Sequence, residues 1–417
     1  MLREDSTGET SPSAFTGLGG HLPVLDGLRG LAILLVLMNN LYPGNPDRYV
    51  DRIVYLVSNI GWSGVDLFFV LSGFLITGIL YDTRGAQHYF RNFYARRFLR
   101  IFPLAYGYLA LIFLVVAHIA SMPATEAHAL AHSEWWYWSY LGNLKIALHG
   151  EGSALEPTMF WSLAVEEQFY LLWPLVVALL DRRRLVTLCI AMIATALLLR
   201  VGWHVVDPSK QGREALYVLT ASRMDGLAMG ALLAIGLRNT GVAFHIQRWA
   251  KPVALAALPA LALLFVWRRG LLATDTVVQT IGYSIIVLGA GSVLVLSLAA
   301  PVGSPLERVF THPFMRFFGR YSYAMYVLQG LVRYVAWPRP FVRDPPLLFG
   351  SQVPAATAIC LVLSGTTVVL AVLSYHLYER RFLSLKRFFP YAATPDAAQA
   401  SGVALPLPAG DTPGGQR

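Results

Sequence analysis

Apolar runs about as long as a bilayer core is thick alternate along the chain with short polar stretches. A helix crossing the hydrocarbon needs about 20 mostly apolar residues. Such runs lie at roughly 25–41, 60–81, 99–120, 159–180, 185–206, 217–237, 250–267, 277–300, 317–337 and 353–378. The pattern predicts an all-α, polytopic bundle of about ten membrane-spanning helices. One stretch is ambiguous: the aromatic-rich segment Trp135–Tyr140 leads into a weak apolar run that ends at Leu148. It is short, and its rings suit the membrane–water interface.

The positions of Lys and Arg decide that case. Arg84, Arg91, Arg96, Arg97 and Arg100 follow the second run, whereas 121–134 holds no Lys or Arg. If 135–148 only dips into the interface, Arg182–Arg184, Arg238, Arg248, Lys251, Arg308, Arg316 and the basic residues from Arg380 to Arg387 all fall on one side. Arg268 and Arg269 are the main exception. Basic loops stay cytoplasmic, so both termini of this multi-pass protein are expected there.

Composition narrows the class. Hydrophobic residues make up 56% of the chain and charged ones 14%, and the mean hydropathy is +0.52. A soluble domain carries about a quarter charged residues. A net charge of +9 would suggest nucleic acid in a soluble protein; here it reflects topology, and no nucleic-acid partner is expected. Cys189 and Cys360 lie inside apolar runs, which leaves no disulfide framework or cysteine metal site. No short apolar core with a cleavage site precedes the first run. Residues 22–388 are expected to form the membrane domain, with 1–21 and 389–417 as disordered cytoplasmic tails.

Ionisable groups inside a span are costly, so each is a functional candidate. Arg29 opens the first run and Asn40 follows eleven residues later, which returns to nearly the same helix face roughly 16 Å along the axis. Asn39 should point about 100° away. Asp66 and Ser72 lie in the second run, Asp66 at a depth that could be interfacial. Arg96, Arg97 and Arg100 can converge on one anion, since residues three and four apart share a helix face. Guanidinium forks suit phosphate oxygens. Ser162, Glu166 and Tyr170 recur at four-residue spacing beside Trp161 and Glu167. Arg223 and Asp225 stand within an apolar helix but do not face each other, so each needs a partner elsewhere. Ser322, Tyr326, Gln329 and Arg333 form a polar stripe.

Read as an ordered set, these motifs resemble the membrane acyltransferase-3 family. The resemblance is carried by Leu25–Ala32, the Gly64–Phe74 run with Ser72-Gly73-Phe74, the basic block Tyr94–Pro103, Phe160–Leu163 with Glu166–Tyr170, and Arg223–Leu227. Gly319–Tyr323 with Tyr326, and Tyr378–Arg380, complete it. It implies an acyl-CoA donor, acetyl-CoA by preference, entering from the cytoplasm. It also implies acyl transfer to a hydroxyl of a glycan, lipid-linked sugar or related acceptor on the outer side, with no metal. Arg29 would sit at the thioester, Arg96, Arg97 and Arg100 at the CoA phosphates. Asp66, Ser72, Trp161, Ser162, Arg223, Asp225, Tyr323 and Gln329 would shape the pore.

The chain departs from that family where a histidine is expected after Arg29: Asn40 stands there, and Gln329 occupies a second position where relatives often carry histidine. A histidine can take the proton of an attacking hydroxyl; an amide can only hold and orient it. Three readings stay open: Glu166 or Glu167 is the base, the chain binds or passes acyl groups without efficient catalysis, or it is an engineered inactive variant. The rival class is a non-catalytic acyl carrier, flippase or transporter of the same fold.

Overall fold

The computed structural model describes residues 22–44, 49–117, 124–153 and 155–391. The expected tails, 1–21 and 389–417, lie outside these residues apart from 389–391. Helices α1 (Pro23–Leu41), α2 (Tyr49–Ser58), α3 (Gly64–Asp82), α4 (Tyr89–Ala110), α5 (Ala124–Trp138), α6 (Gly142–His149) and α7 (Phe160–Leu179) form the first half. The second half is α8 (Arg182–Val206), α9 (Lys210–Val218), α10 (Thr220–Gly236), α11 (Thr240–Arg268), α12 (Tyr283–Leu298), α13 (Pro305–Thr311), α14 (Pro313–Ala336) and α15 (Val353–Ser374). The fold is all-α; among the described residues the only β pairing is an isolated bridge between Leu348 and Ser351.

Nine helical segments among the described residues are long and apolar enough to cross a membrane. The expected tenth, 317–337, is α14, a helix of 24 residues. It is long enough to span, at about 1.5 Å per residue, but Arg316, Arg320, Arg333 and its tyrosines make it less apolar than the other nine. Ser322 and Gln329 of its polar stripe point inward, 4% and 1% exposed, whereas Arg333 at the end of the stripe is exposed. The segment 135–148 falls in α5 and α6, of 15 and 8 residues, both too short to cross.

Sidedness is visible on α7. Leu171, Leu172, Leu175 and Leu179 are exposed, whereas Phe169, Tyr170, Trp173 and Val177 are buried. In a soluble protein this leucine face would be the core; here it fits lipid, and the aromatic face packs the bundle.

Small residues let backbones meet. A Cβ on Gly319 of α14 would stand 1.8 Å from the Asp26 carbonyl oxygen, and one on Gly30 of α1 would stand 2.1 Å from that of Met315. Gly73 of α3 and Gly230 of α10 form a second such contact, with the Leu227 and Val70 carbonyl oxygens at 2.0 and 2.1 Å. Basic residues also secure helix ends. Arg84 donates to the carbonyls of Leu180 and Ala178 at 2.9 and 3.0 Å, satisfying acceptors that a helix C-terminus leaves open. Arg238 grips Asp82 through Nε and Nη2, each at 2.6 Å.

Candidate active site

Three cavities follow one another through the bundle. The inner chamber, of about 100 Å³, is lined by Arg29 of α1, Ser72 of α3, Arg97 and Arg100 of α4, Ser162, Glu166 and Tyr170 of α7, and Tyr323 of α14. The four-residue spacing of Ser162, Glu166 and Tyr170 puts all three on its wall. Tyr170 donates to Ser72 Oγ at 2.9 Å, and Ser72 Oγ donates to Glu166 Oε1 at 2.5 Å. Arg29 donates to Asp26 Oδ1 at 3.3 Å. The Arg97 guanidinium lies between the rings of Phe93 and Tyr170, 5.9 and 5.7 Å from their centroids, and its buried Nε has no hydrogen-bond partner.

A larger basic cavity, of about 670 Å³, opens at the end of the bundle where the basic loops gather. Arg316 and Arg320 of α14 line it with Lys386, Asp26 and Glu379. Beyond α15 the chain takes a π-helical turn at Tyr375–Glu379, which brings both Tyr375 and Glu379 to the cavity wall. Arg29, Arg100 and Tyr323 belong to this cavity and to the inner chamber alike.

Arg96 does not join this set, contrary to the expected convergence of three arginines. Its Nη1 donates to the Lys386 and Phe389 carbonyls at 3.1 and 3.0 Å, and its guanidinium stacks over Tyr391, 4.6 Å from the ring centroid. It anchors the C-terminal segment on α4. Arg96 and Arg97 flank Arg100 on opposite sides of α4, and the C-terminal segment packs on the Arg96 side and takes its guanidinium.

The outer chamber, of about 230 Å³, lies at the opposite end. Asn39, Asn40, Trp62, Trp161, Tyr217 and Gln329 line it, with Glu151, Glu214 and Arg333 among its charged residues. Asn39 was expected to face away from Asn40; instead Asn39 Nδ2 donates to Asn40 Oδ1 at 2.9 Å, and both line the chamber. They sit in the last turn of α1, where the cavity is wide enough to reach both. Tyr326 and Val65 are common to the outer and inner chambers. The Tyr326 hydroxyl lies 2.5 Å from Ser162 Oγ and donates to the Met159 carbonyl at 2.7 Å, so Tyr326 stands as a pinned septum.

Several expected pore residues are buried ion pairs instead. Asp66 is not interfacial but 1% exposed, and it accepts from Arg223 Nη2 at 2.8 Å. Asp225 accepts from Arg200 Nη1 at 2.7 Å. Neither Asp225 nor Arg223 lines a chamber. The Arg223 guanidinium is caged by Trp62, Trp161, Tyr217 and Tyr283, with the Tyr283 centroid 4.1 Å away. Three of those rings also form the wall of the outer chamber. Glu167 is absent from all three cavities.

Arg200, Arg316, Arg320 and Lys386 were not singled out as site residues from sequence. Arg200 carried the same signal as Arg223, a lone charge in an apolar run. The other three read as topology charges. A further buried pair, Lys145 Nζ to Glu156 Oε2 at 2.6 Å, holds α6 to the loop before α7. Burial, and Glu156 beside it, push the Tyr137 phenol well above its ordinary range. Among the described residues no group of three or more His, Cys, Asp or Glu side chains gathers as a metal site.

A family profile described as an acyltransferase domain matches residues 22–374. The chain is 27% identical over 379 residues to a peptidoglycan O-acetyltransferase of Listeria monocytogenes, covering 86% of this chain and 55% of that protein. It is 32% identical over 232 residues to an O-acetyltransferase of Staphylococcus aureus, covering 51% of this chain and 34% of that protein. The chain thus spans between about a third and about half the length of these curated relatives. No solved structure matches it.

Proposed function

The chain belongs to the membrane acyltransferase-3 family, and from that membership we propose that it transfers an acetyl or other short acyl group from acyl-CoA to a glycan hydroxyl. The basic cavity would face the cytoplasm and the outer chamber the acceptor, with both termini cytoplasmic, a reading that the distribution of Lys and Arg supports. The observation that carries the reading is continuity: Arg29, Arg100 and Tyr323 link the basic cavity to the inner chamber, and Tyr326 and Val65 link that chamber to the outer one.

Arg100, Arg316 and Arg320 suit a donor carrying several phosphates, because their guanidinium forks supply charge-assisted hydrogen bonds. The unpartnered Nε of Arg97 is a donor still seeking an acceptor. Together with Arg29 and Arg100 it surrounds the inner chamber with positive charge, which favours the oxyanion that develops when a hydroxyl attacks a thioester. In the net reaction an ester C–O bond forms, the C–S bond breaks, and the hydroxyl proton ends on the departing thiol. Glu166 is the carboxylate on the inner chamber wall, which supports it as the carrier of that proton. Glu167 lacks this placement. Asn40 Oδ1 already accepts from Asn39, so Asn40 offers its N–H groups to a hydroxyl oxygen and orients it without acting as a base.

The test is acetyl-CoA binding, hydrolysis and transfer by the purified protein in liposomes, beside Asn40→His. The histidine variant should turn over faster, by up to the 10²–10⁴-fold that general-base help typically contributes. If neither protein binds acetyl-CoA, the acyltransferase reading fails.

A further inference from the structure

Gln329 is the conspicuous unspent group of the outer chamber. It lies on α14 at 1% exposure, it lines the chamber, and neither its Oε1 nor its Nε2 has a hydrogen-bond partner. A buried amide left without partners is expensive, and native interiors rarely tolerate one. Ser322 on the same stripe is satisfied by the Gly319 carbonyl at 2.9 Å, and Tyr326 by Met159 at 2.7 Å. Gln329 alone of the three keeps both a donor and an acceptor for whatever enters.

The surroundings define what that is. Asn40 presents N–H groups, as its oxygen is taken by Asn39. Trp161, Tyr217 and Trp62 form an aromatic wall. That wall is rigid: Trp62 Nε1 donates to the Leu271 carbonyl at 2.7 Å, and Trp161 packs on Tyr217 with centroids 4.7 Å apart. Two amides beside fixed aromatic faces match a ring with one apolar face and a polar edge of hydroxyls, each hydroxyl able both to donate and to accept. Glu151, Glu214 and Arg333 also line the chamber and can accept from or donate to further hydroxyls; a wholly apolar molecule matches this lining poorly.

We propose that the outer chamber binds one pyranose ring of the acceptor and that Gln329 grips two neighbouring hydroxyls of it, accepting from one through Oε1 and donating to the other through Nε2. This rests on the acyl-transfer reading for its purpose, but not for its test. Gln329 thereby selects which hydroxyl faces the septum at Tyr326, one turn earlier on the same helix.

The experiment is equilibrium binding to the full chain in nanodiscs, read by intrinsic tryptophan fluorescence, since Trp62 and Trp161 line the wall. The probes are the methyl glycosides of glucose and N-acetylglucosamine, with tetrahydropyran as the same ring without hydroxyls. At least one glycoside should bind saturably and tetrahydropyran should not. Gln329→Met, nearly isosteric but unable to hydrogen-bond, should raise the Kd about 10- to 100-fold, the loss expected for buried polar groups left unpaired. A thermal unfolding midpoint near that of the parent shows that the variant is folded. Should it not fold, Gln329→Asn carries the same test, because it keeps the amide but draws it back by one methylene from the hydroxyls. Absence of saturable glycoside binding, or an unchanged Kd in the folded variant, overturns the proposal. Glycoside binding that depends on Gln329 without any acyl transfer leaves this site standing and refutes the acyltransferase reading instead. Acyl transfer that ignores the Gln329 substitution does the reverse.

Discussion

Arg223 donates through Nη2 to Asp66 Oδ1 across 2.8 Å, joining two helices whose residues lie 157 positions apart in sequence. Both side chains are almost wholly buried, and the guanidinium is faced by the rings that wall the outer chamber. The pair therefore braces the site from behind; neither member touches a cavity.

Breaking such a pair from one side leaves an unpaired buried charge. Asp66→Ala and Arg223→Met should each destabilise the protein by about 3–5 kcal/mol. The double variant Asp66→Leu with Arg223→Met should lose less than either single one. Unfolding midpoints of the three variants in one detergent check this; additive losses would contradict it.

The approach of α1 to α14 depends on absent side chains. Gly319→Val should force the helices apart, since even a Cβ would overlap the Asp26 carbonyl oxygen at 1.8 Å. Overpacking ordinarily costs about 1–3 kcal/mol, and contact with backbone puts this site at the upper end or beyond. The readout is the yield and midpoint of monodisperse protein, with Gly365→Val as a control, because nothing lies within 4 Å of a Cβ there.

The arginines of α4 should separate by role. Arg100→Gln should raise the Kd for acetyl-CoA by roughly 10- to 100-fold, the range for a charge-assisted hydrogen bond, whereas Arg97→Gln should leave the Kd near that of the parent and lower the transfer rate instead. Arg316→Gln and Arg320→Gln should act in the same direction as Arg100→Gln and flatten the salt dependence of binding. Arg96→Gln should leave the Kd unchanged and loosen only the C-terminal segment that it holds. Calorimetric titration of the five variants decides; a large effect at Arg96 would return it to the phosphate site.

The adjacent glutamates should differ just as sharply. Glu166→Gln should lower the acyl-transfer rate by about 10²–10⁴-fold if it carries the proton. Glu167→Gln, outside every cavity, should leave the rate within a few-fold of the parent at equal folded concentration. Equal rates in parent and Glu166→Gln would remove Glu166 as the base.

Much of this was legible in one dimension. Arg29 and Asn40 sit on one stripe of α1 because a regular helix fixes their relative phase, and both line cavities. The lone charges at Arg223 and Asp225 announced buried partners because hydrocarbon offers no solvation, whereas Asp66, near a span end, read equally as interfacial. Arg96 and Glu167 misled because helix phase relates neighbours on one helix without saying which face meets another. Asn39 misled for a related reason: a cavity at a helix end can take in residues that an ideal wheel sets apart.

The sequence by itself determined the approximate number and length of the apolar segments, where along the chain the basic residues cluster, and many but not all of the polar residues that line the cavities. These follow from bilayer thickness and the cost of exposing charge, which act on a run of residues locally. Only the tertiary structure decided that Arg223 belongs to Asp66 and Asp225 to Arg200, that Arg97 and Arg100 face the chamber while Arg96 does not, and that Gln329 is left without a partner. Each of these depends on how far one helix is rotated against another. That rotation is set by close contacts such as Gly30 with Met315 and Gly319 with Asp26, between residues far apart along the chain.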